Sequence, residues 1–107
     1  LPSVKGTVKL DTREVDCMIS EGNDDIVQTT TGSCKCRGTL NEIEEMFLRF
    51  DFYRIHSAYI VNLNHIQQVG QNEVFVTNLK KPLPIAQRRL SGFRAAYSEF
   101  TIRSFNL

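Results

Sequence analysis

Across its 107 residues the sequence has no apolar run approaching the roughly 20 residues of a membrane-spanning helix. The opening LPSVKGTVKL is too polar for the apolar centre of a secretory leader. There is no glycine-rich phosphate loop, no H-E-x-x-H and no EF-hand spacing. Nor is there a G-x-S-x-G nucleophile elbow; Ser57 beside His56 with Asp51 nearby makes no catalytic set, because adjacent residues on a strand face opposite ways. Catalysis and a cofactor are therefore not expected. Repeats, low-complexity tracts and linkers are also missing, so residues 1–107 read as one domain, and Leu1 in place of Met reads as a piece of a longer chain. Cysteine is scarce and odd in number, three in all, which fits a reducing, cytoplasmic setting rather than a disulfide framework. Cys34 and Cys36 form a C-x-C pair with no further ligands at a recognisable spacing, so they read as small buried hydrophobes and no metal is expected. Arg37, next to Cys36, is a cation that would activate an exposed thiol, which makes redox sensing a question for the structure.

Charge of one sign is lacking too, the net being only +1, but its distribution is uneven. Residues 1–50 carry six Lys/Arg against nine Asp/Glu, a balance of minus three, whereas residues 51–107 carry seven against three, a balance of plus four. Such asymmetry permits a basic face on the second half.

What is present is a series of short β-prone segments divided by turn chemistry. VKLDTREVDCMI, IVQTTT and CKCR read as the first strands, with TTTGS as a turn between two of them. The pattern then changes at Thr39-Leu40-Asn41-Glu42, a capping box, followed by Leu40, Ile43, Met46 and Phe47 at helical spacing. The outer face of this helix is acidic, which disfavours laying it on DNA. IQQV, a turn at Gly70-Gln71-Asn72 and EVFVT read as a hairpin. In KKPLPIA, Pro82 and Pro84 alternate and remove ladder donors, so this segment is an edge strand at best. Leu90, Phe93, Tyr97 and Phe100 then predict a last helix, with Ser91-Gly92 a soft spot inside it. Asn62 is expected to satisfy the backbone of the turn after its strand, and His65 to support the turn before Ile66.

Within this pattern RIHSAYIVNLNHI, residues 54–66, stands after the capped helix and before the hairpin and the segment LPIAQRR. The arrangement resembles the LytTR family of DNA-binding domains. The resemblance spans roughly residues 5 to 97, and it implies a mainly β fold of several small antiparallel sheets with one or two short helices. It also implies sequence-specific binding of double-stranded DNA by loops in the major groove. The setting would be the output domain of a bacterial two-component response regulator, with an upstream receiver domain and two copies on promoter repeats. Position by position it implies base contacts from Asn23, Ser57 and Arg88, and phosphate contacts from Arg54, His56, Lys80, Lys81 and Arg89. The chemistry of those side chains is suitable in itself. A guanidinium spans guanine O6 and N7, an amide does the same on adenine, a hydroxyl discriminates less, and cations fix position on phosphates. The chain departs from the family pattern at Ser57-Ala58 and at Ala86-Gln87, positions that bear on which bases are read. The alternative reading is a β-rich protein-interaction or dimerisation module that uses its strand edges.

Overall fold

The computed structural model describes residues 2–3, 6–7, 9–47 and 49–105. The strands are β1 (Pro2–Ser3), β2 (Gly6–Thr7), β3 (Val15–Glu21), β4 (Asp24–Thr29), β5 (Gly32–Cys36), β6 (Phe52–His56), β7 (Tyr59–Asn62), β8 (Ile66–Val69), β9 (Glu73–Val76) and β10 (Leu83–Pro84). The helices are α1 (Leu40–Met46) and α2 (Leu90–Phe105), with single 3-10 turns at Thr12–Glu14, Leu63–His65 and Gln87–Arg89. A seven-stranded sheet runs β2-β1-β5-β4-β3-β7-β6, and a three-stranded sheet runs β10-β9-β8. All pairings among them are antiparallel. The fold is thus mainly β, and the proline-bearing segment takes the sheet edge that its missing donors require.

The large sheet is covered on both faces where β3 and β7 lie side by side. On one face Val15, Met18, Val27, Cys36 and Ile60 meet Leu40, Ile43 and Phe47 of α1 and its C-cap. On the other, Cys17, Ile55 and Val61 pack with Val74, Val76, Leu83, Ile85 and Phe93 from the small sheet and α2. This two-sided burial explains why Tyr59-Ile60-Val61 is an unbroken apolar run rather than an alternation. A bulge between Val15 and Cys17 lets Val15 and Met18, three residues apart, share a face. The strand within VKLDTREVDCMI, β3, begins only at Val15, because Asp11 accepts from the Arg13 amide at 2.9 Å and caps a 3-10 turn ahead of it; Val8 lies outside the described residues.

The capping box forms as the sequence predicts: the Glu42 amide donates to Thr39 Oγ1 at 3.2 Å and the Thr39 amide donates to Glu42 Oε1 at 3.3 Å. Met46, however, is half-exposed rather than part of the core. Leu40, Ile43 and Phe47 fall on one narrow stripe, and at 100° per residue position 46 lies well off it.

Buried polar groups sit where strands give way to turns. Asn62 Nδ2 donates to Val15 O at 2.9 Å while its Oδ1 accepts from the Asn64 amide at 2.9 Å, the turn-satisfying role expected of it. Asp16, fully buried at the bulge, bonds His65 Nδ1 at 2.6 Å and accepts from Asn78 Nδ2 at 3.2 Å. His65 Nε2 reaches Arg13 O at 2.8 Å, so one histidine joins the start of β3 to the turn before β8. Asn78 itself has a positive φ of 71°, which asparagine tolerates better than most residues.

Gly92 is no soft spot. A Cβ there would run into the Tyr53 hydroxyl, whose ring lies edge-on to Phe93 with centroids 5.9 Å apart. Helix propensity alone would make Gly92→Ala stabilising by about 1 kcal/mol. Overpacking reverses the sign: we expect Gly92→Ala to lower stability by about 1–2 kcal/mol and to become neutral or stabilising in a Tyr53→Phe background, as read from urea midpoints. For the thiols, burial pushes Cys17 up to about 12, aided by the Asp16 charge, and pushes Cys36 up to about 11. Arg37 therefore does not activate Cys36. In the folded domain, maleimide at neutral pH should label Cys34, the half-buried one, before either of the others, with peptide mass spectrometry as the readout.

Candidate nucleic-acid interface

The hairpin between β3 and β4 turns on Gly22-Asn23. Gly22 has φ +62°, the value a tight two-residue hairpin needs at its first central position, and this leaves Asn23 exposed at the tip. The neighbouring hairpin, β6 to β7, turns at 57–58. The two tips are tied together, because the Ser20 amide donates to Ala58 O at 2.9 Å. As a result Asn23 and Ser57, which are 34 positions apart in the sequence, line one shallow depression, together with Asp25, Gly38, Thr39 and Asn41. Asp24 turns aside to pair with Lys35 at 3.6 Å, an exposed pair that contributes little energy but moves one carboxylate toward a cation.

The turn at 57–58 is held from below by Arg54. Its Nε donates to His56 O at 3.1 Å, its Nη2 to Ser57 O at 2.5 Å, and its Nη1 to Asn41 Oδ1 at 2.5 Å and Glu44 Oε1 at 3.1 Å. With only 8% of its surface exposed, Arg54 points inward and its guanidinium is occupied by these acceptors, so the phosphate contact expected from its type and position has little free surface to use. The reason is the bulge between Arg54 and His56, which leaves Arg54 beneath the tip and facing α1, where Glu44 supplies the counter-charge.

His56 is half-buried, its ring against Tyr59 with centroids 5.1 Å apart. Its Nδ1 accepts from the Ala58 amide at 3.0 Å, so in the neutral ring the proton is on Nε2, which has no partner among the described residues and is left as a donor. The segment bearing Arg88 and Arg89 is hung on β6, with the Ala86 amide donating to Ile55 O at 2.8 Å. Arg88 is exposed, without a partner among the described residues. Arg89 is half-buried: its Nη1 donates to Arg54 O at 3.3 Å and its Nε is enclosed without a partner. Asn23, Ser57 and Arg88 thus stand on turns, and His56 at a strand end, gathered at one end of β3, β6 and β7.

Lys80 and Lys81 are exposed elsewhere. They lie in the turn between β9 and β10, beside Thr77, whose amide donates to His65 O at 2.9 Å, whereas Ile85 bonds Asn72 O at the opposite end of the small sheet. The two lysines therefore belong to the end marked by Asp16 and His65 rather than to the tips.

One residue that shapes the depression carries no local sequence signal for it. Asn41 is an ordinary second residue of a short helix, and only the packing of the β3–β4 hairpin beside α1 gives it its position. Removing Arg54 tests how the tip is held: Arg54→Ala should cost about 2 kcal/mol or more, because it strips charge-assisted bonds from two carbonyls, an amide and a carboxylate. Amide exchange at residues 57–59 should rise more than exchange in β3, measured by NMR.

The LytTr DNA-binding domain family matches residues 5–98. Among solved structures, the LytTr DNA-binding domain of a methyl-accepting/DNA response regulator from Bacillus cereus shares the fold, with a TM-score of 0.75 at 22% identity over 90% of this chain and 92% of that one. No curated protein matches the chain. A family match across nearly the whole length, on a fold with the same two-sheet design, means that this chain belongs to the LytTr DNA-binding domain family.

Proposed function

We propose that this domain binds double-stranded DNA sequence-specifically, through turns that enter the major groove, as the cytoplasmic output domain of a response regulator. The observation that carries the reading is the convergence of Asn23 and Ser57 on one depression, with Arg88 exposed on a turn anchored to the same end of β6. Asn23 and Arg88 have no partners among the described residues, and their chemistry matches base edges: amide to adenine, guanidinium to guanine. Short turns on a doubly covered sheet hold such groups at fixed spacing, which base reading requires. His56 Nε2 and the outer nitrogens of Arg89 serve as phosphate contacts that set the register. An upstream receiver domain in the full-length protein would control how two such domains meet on paired promoter repeats. Lys80 and Lys81 add general attraction from the other end of the small sheet.

Fluorescence anisotropy with a randomised duplex pool at low and moderate salt tests this. The wild type should select a sequence, and Arg88→Ala should relax one position at a cost of about 1–3 kcal/mol. Ser57→Ala should relax another position by less, and Asn23→Ala a third. The Lys80→Ala/Lys81→Ala double variant should lower affinity for all duplexes alike and flatten the salt dependence. A wild type that binds no duplex at low salt would overturn the reading.

A further inference from the structure

Asn41 forms a wall of the depression that holds Asn23 and Ser57, and its amide is not free to turn. Arg54 Nη1 donates to its Oδ1. A guanidinium has donors only, so the oxygen end of the amide must face Arg54 and the Nδ2 amino group must face the other way. Nδ2 has no hydrogen bond among the described residues, and Asn41 is exposed. A free asparagine presents both a donor and an acceptor; this one is preset as a donor.

At the helix start the Glu42 amide is taken by Thr39 Oγ1 and the Ile43 amide by Thr39 O, so the Asn41 amino group joins the Leu40 and Asn41 amides as the donors without a partner among the described residues. The local charge also selects the ligand. Asp25 lines the same depression, and Glu42 and Glu44 stand on the same helix, Glu44 already paired with Arg54. These carboxylates would repel a phosphate entering here, whereas a base edge carries no net charge for them to repel.

We propose that Asn41 is a base-reading residue, its Nδ2 donating to a base acceptor in the groove that receives Asn23 and Ser57, with Arg54 as the positioning residue that fixes its orientation. The inference rests on the DNA-binding reading above. A donor held this way can donate to guanine O6 or N7, adenine N7 or thymine O4, and rejects cytosine, which presents an amino group in the major groove.

The orientation makes a sharp test possible. Asn41→Asp keeps an oxygen for Arg54, and so keeps the tip in place, but replaces the outward donor with an acceptor. Selection from the randomised pool should then show one position where the wild type disfavours cytosine and Asn41→Asp favours it, a change of about tenfold or more in relative affinity. Asn41→Ala should lose the preference at that position without gaining another, and thermal unfolding of Asn41→Asp should match the wild type. If the wild type selects a sequence and Asn41→Asp retains the same preference everywhere, or weakens all duplexes uniformly, the assignment of Asn41 fails while the DNA-binding reading stands. If the wild type selects nothing, both fall together.

Discussion

The constraint on which the rest of this fold depends is that β3 and β7 are buried on both faces. Apolar side chains project from these strands in both directions, so two separate coverings are needed. The short helix α1 supplies one, and the small sheet with α2 supplies the other. Neither covering alone would leave the sheet stable in water, since an uncovered face exposes the full hydrophobic area of those strands. The chain therefore returns twice to the same sheet.

Doubly buried strands also limit where polar groups are tolerated. The buried polar residues Asp16, Arg54 and Asn62 each lie at a bulge or strand end, and each is bonded to backbone or to an oppositely disposed side chain. An unpaired polar group in these places would cost several times what a hydrogen bond gains, so each acts as a geometric lock. Arg54 locks the tip at 57–58 to α1, Asn62 locks the turn after β7 to the start of β3, and Asp16 with His65 and Asn78 locks the two sheets together. The side chains proposed to read bases would benefit from this arrangement, because they stand on turns that are loops by sequence and nearly rigid by support.

The division between read and hidden features follows from range. The capping box at Thr39 and Glu42, the edge position of the proline strand and the aromatic stripe of α2 all involve residues within a turn or so of one another, and each formed as local chemistry directs. Residue type alone does not place Met46, Gly92 or Arg54. Whether Met46 faces the core depends on the angle at which α1 crosses the sheet. Whether Gly92 is a weakness depends on a tyrosine from another strand. Whether Arg54 meets phosphate or a glutamate depends on a single bulge.

By itself the sequence determined the class of fold, the order of its elements and the family, because hydrophobic period, caps and turn residues act over short distances and the central motif has a distinctive spacing. Only the tertiary structure decided which side chains share the interface. It brought Asn23, Asn41 and Ser57 to one depression, turned Arg54 inward beneath them, and set Lys80 and Lys81 at the opposite end of the small sheet. The physical reason is that strand register and bulges choose the face on which a residue emerges, and these are settled by contacts between segments far apart in the chain.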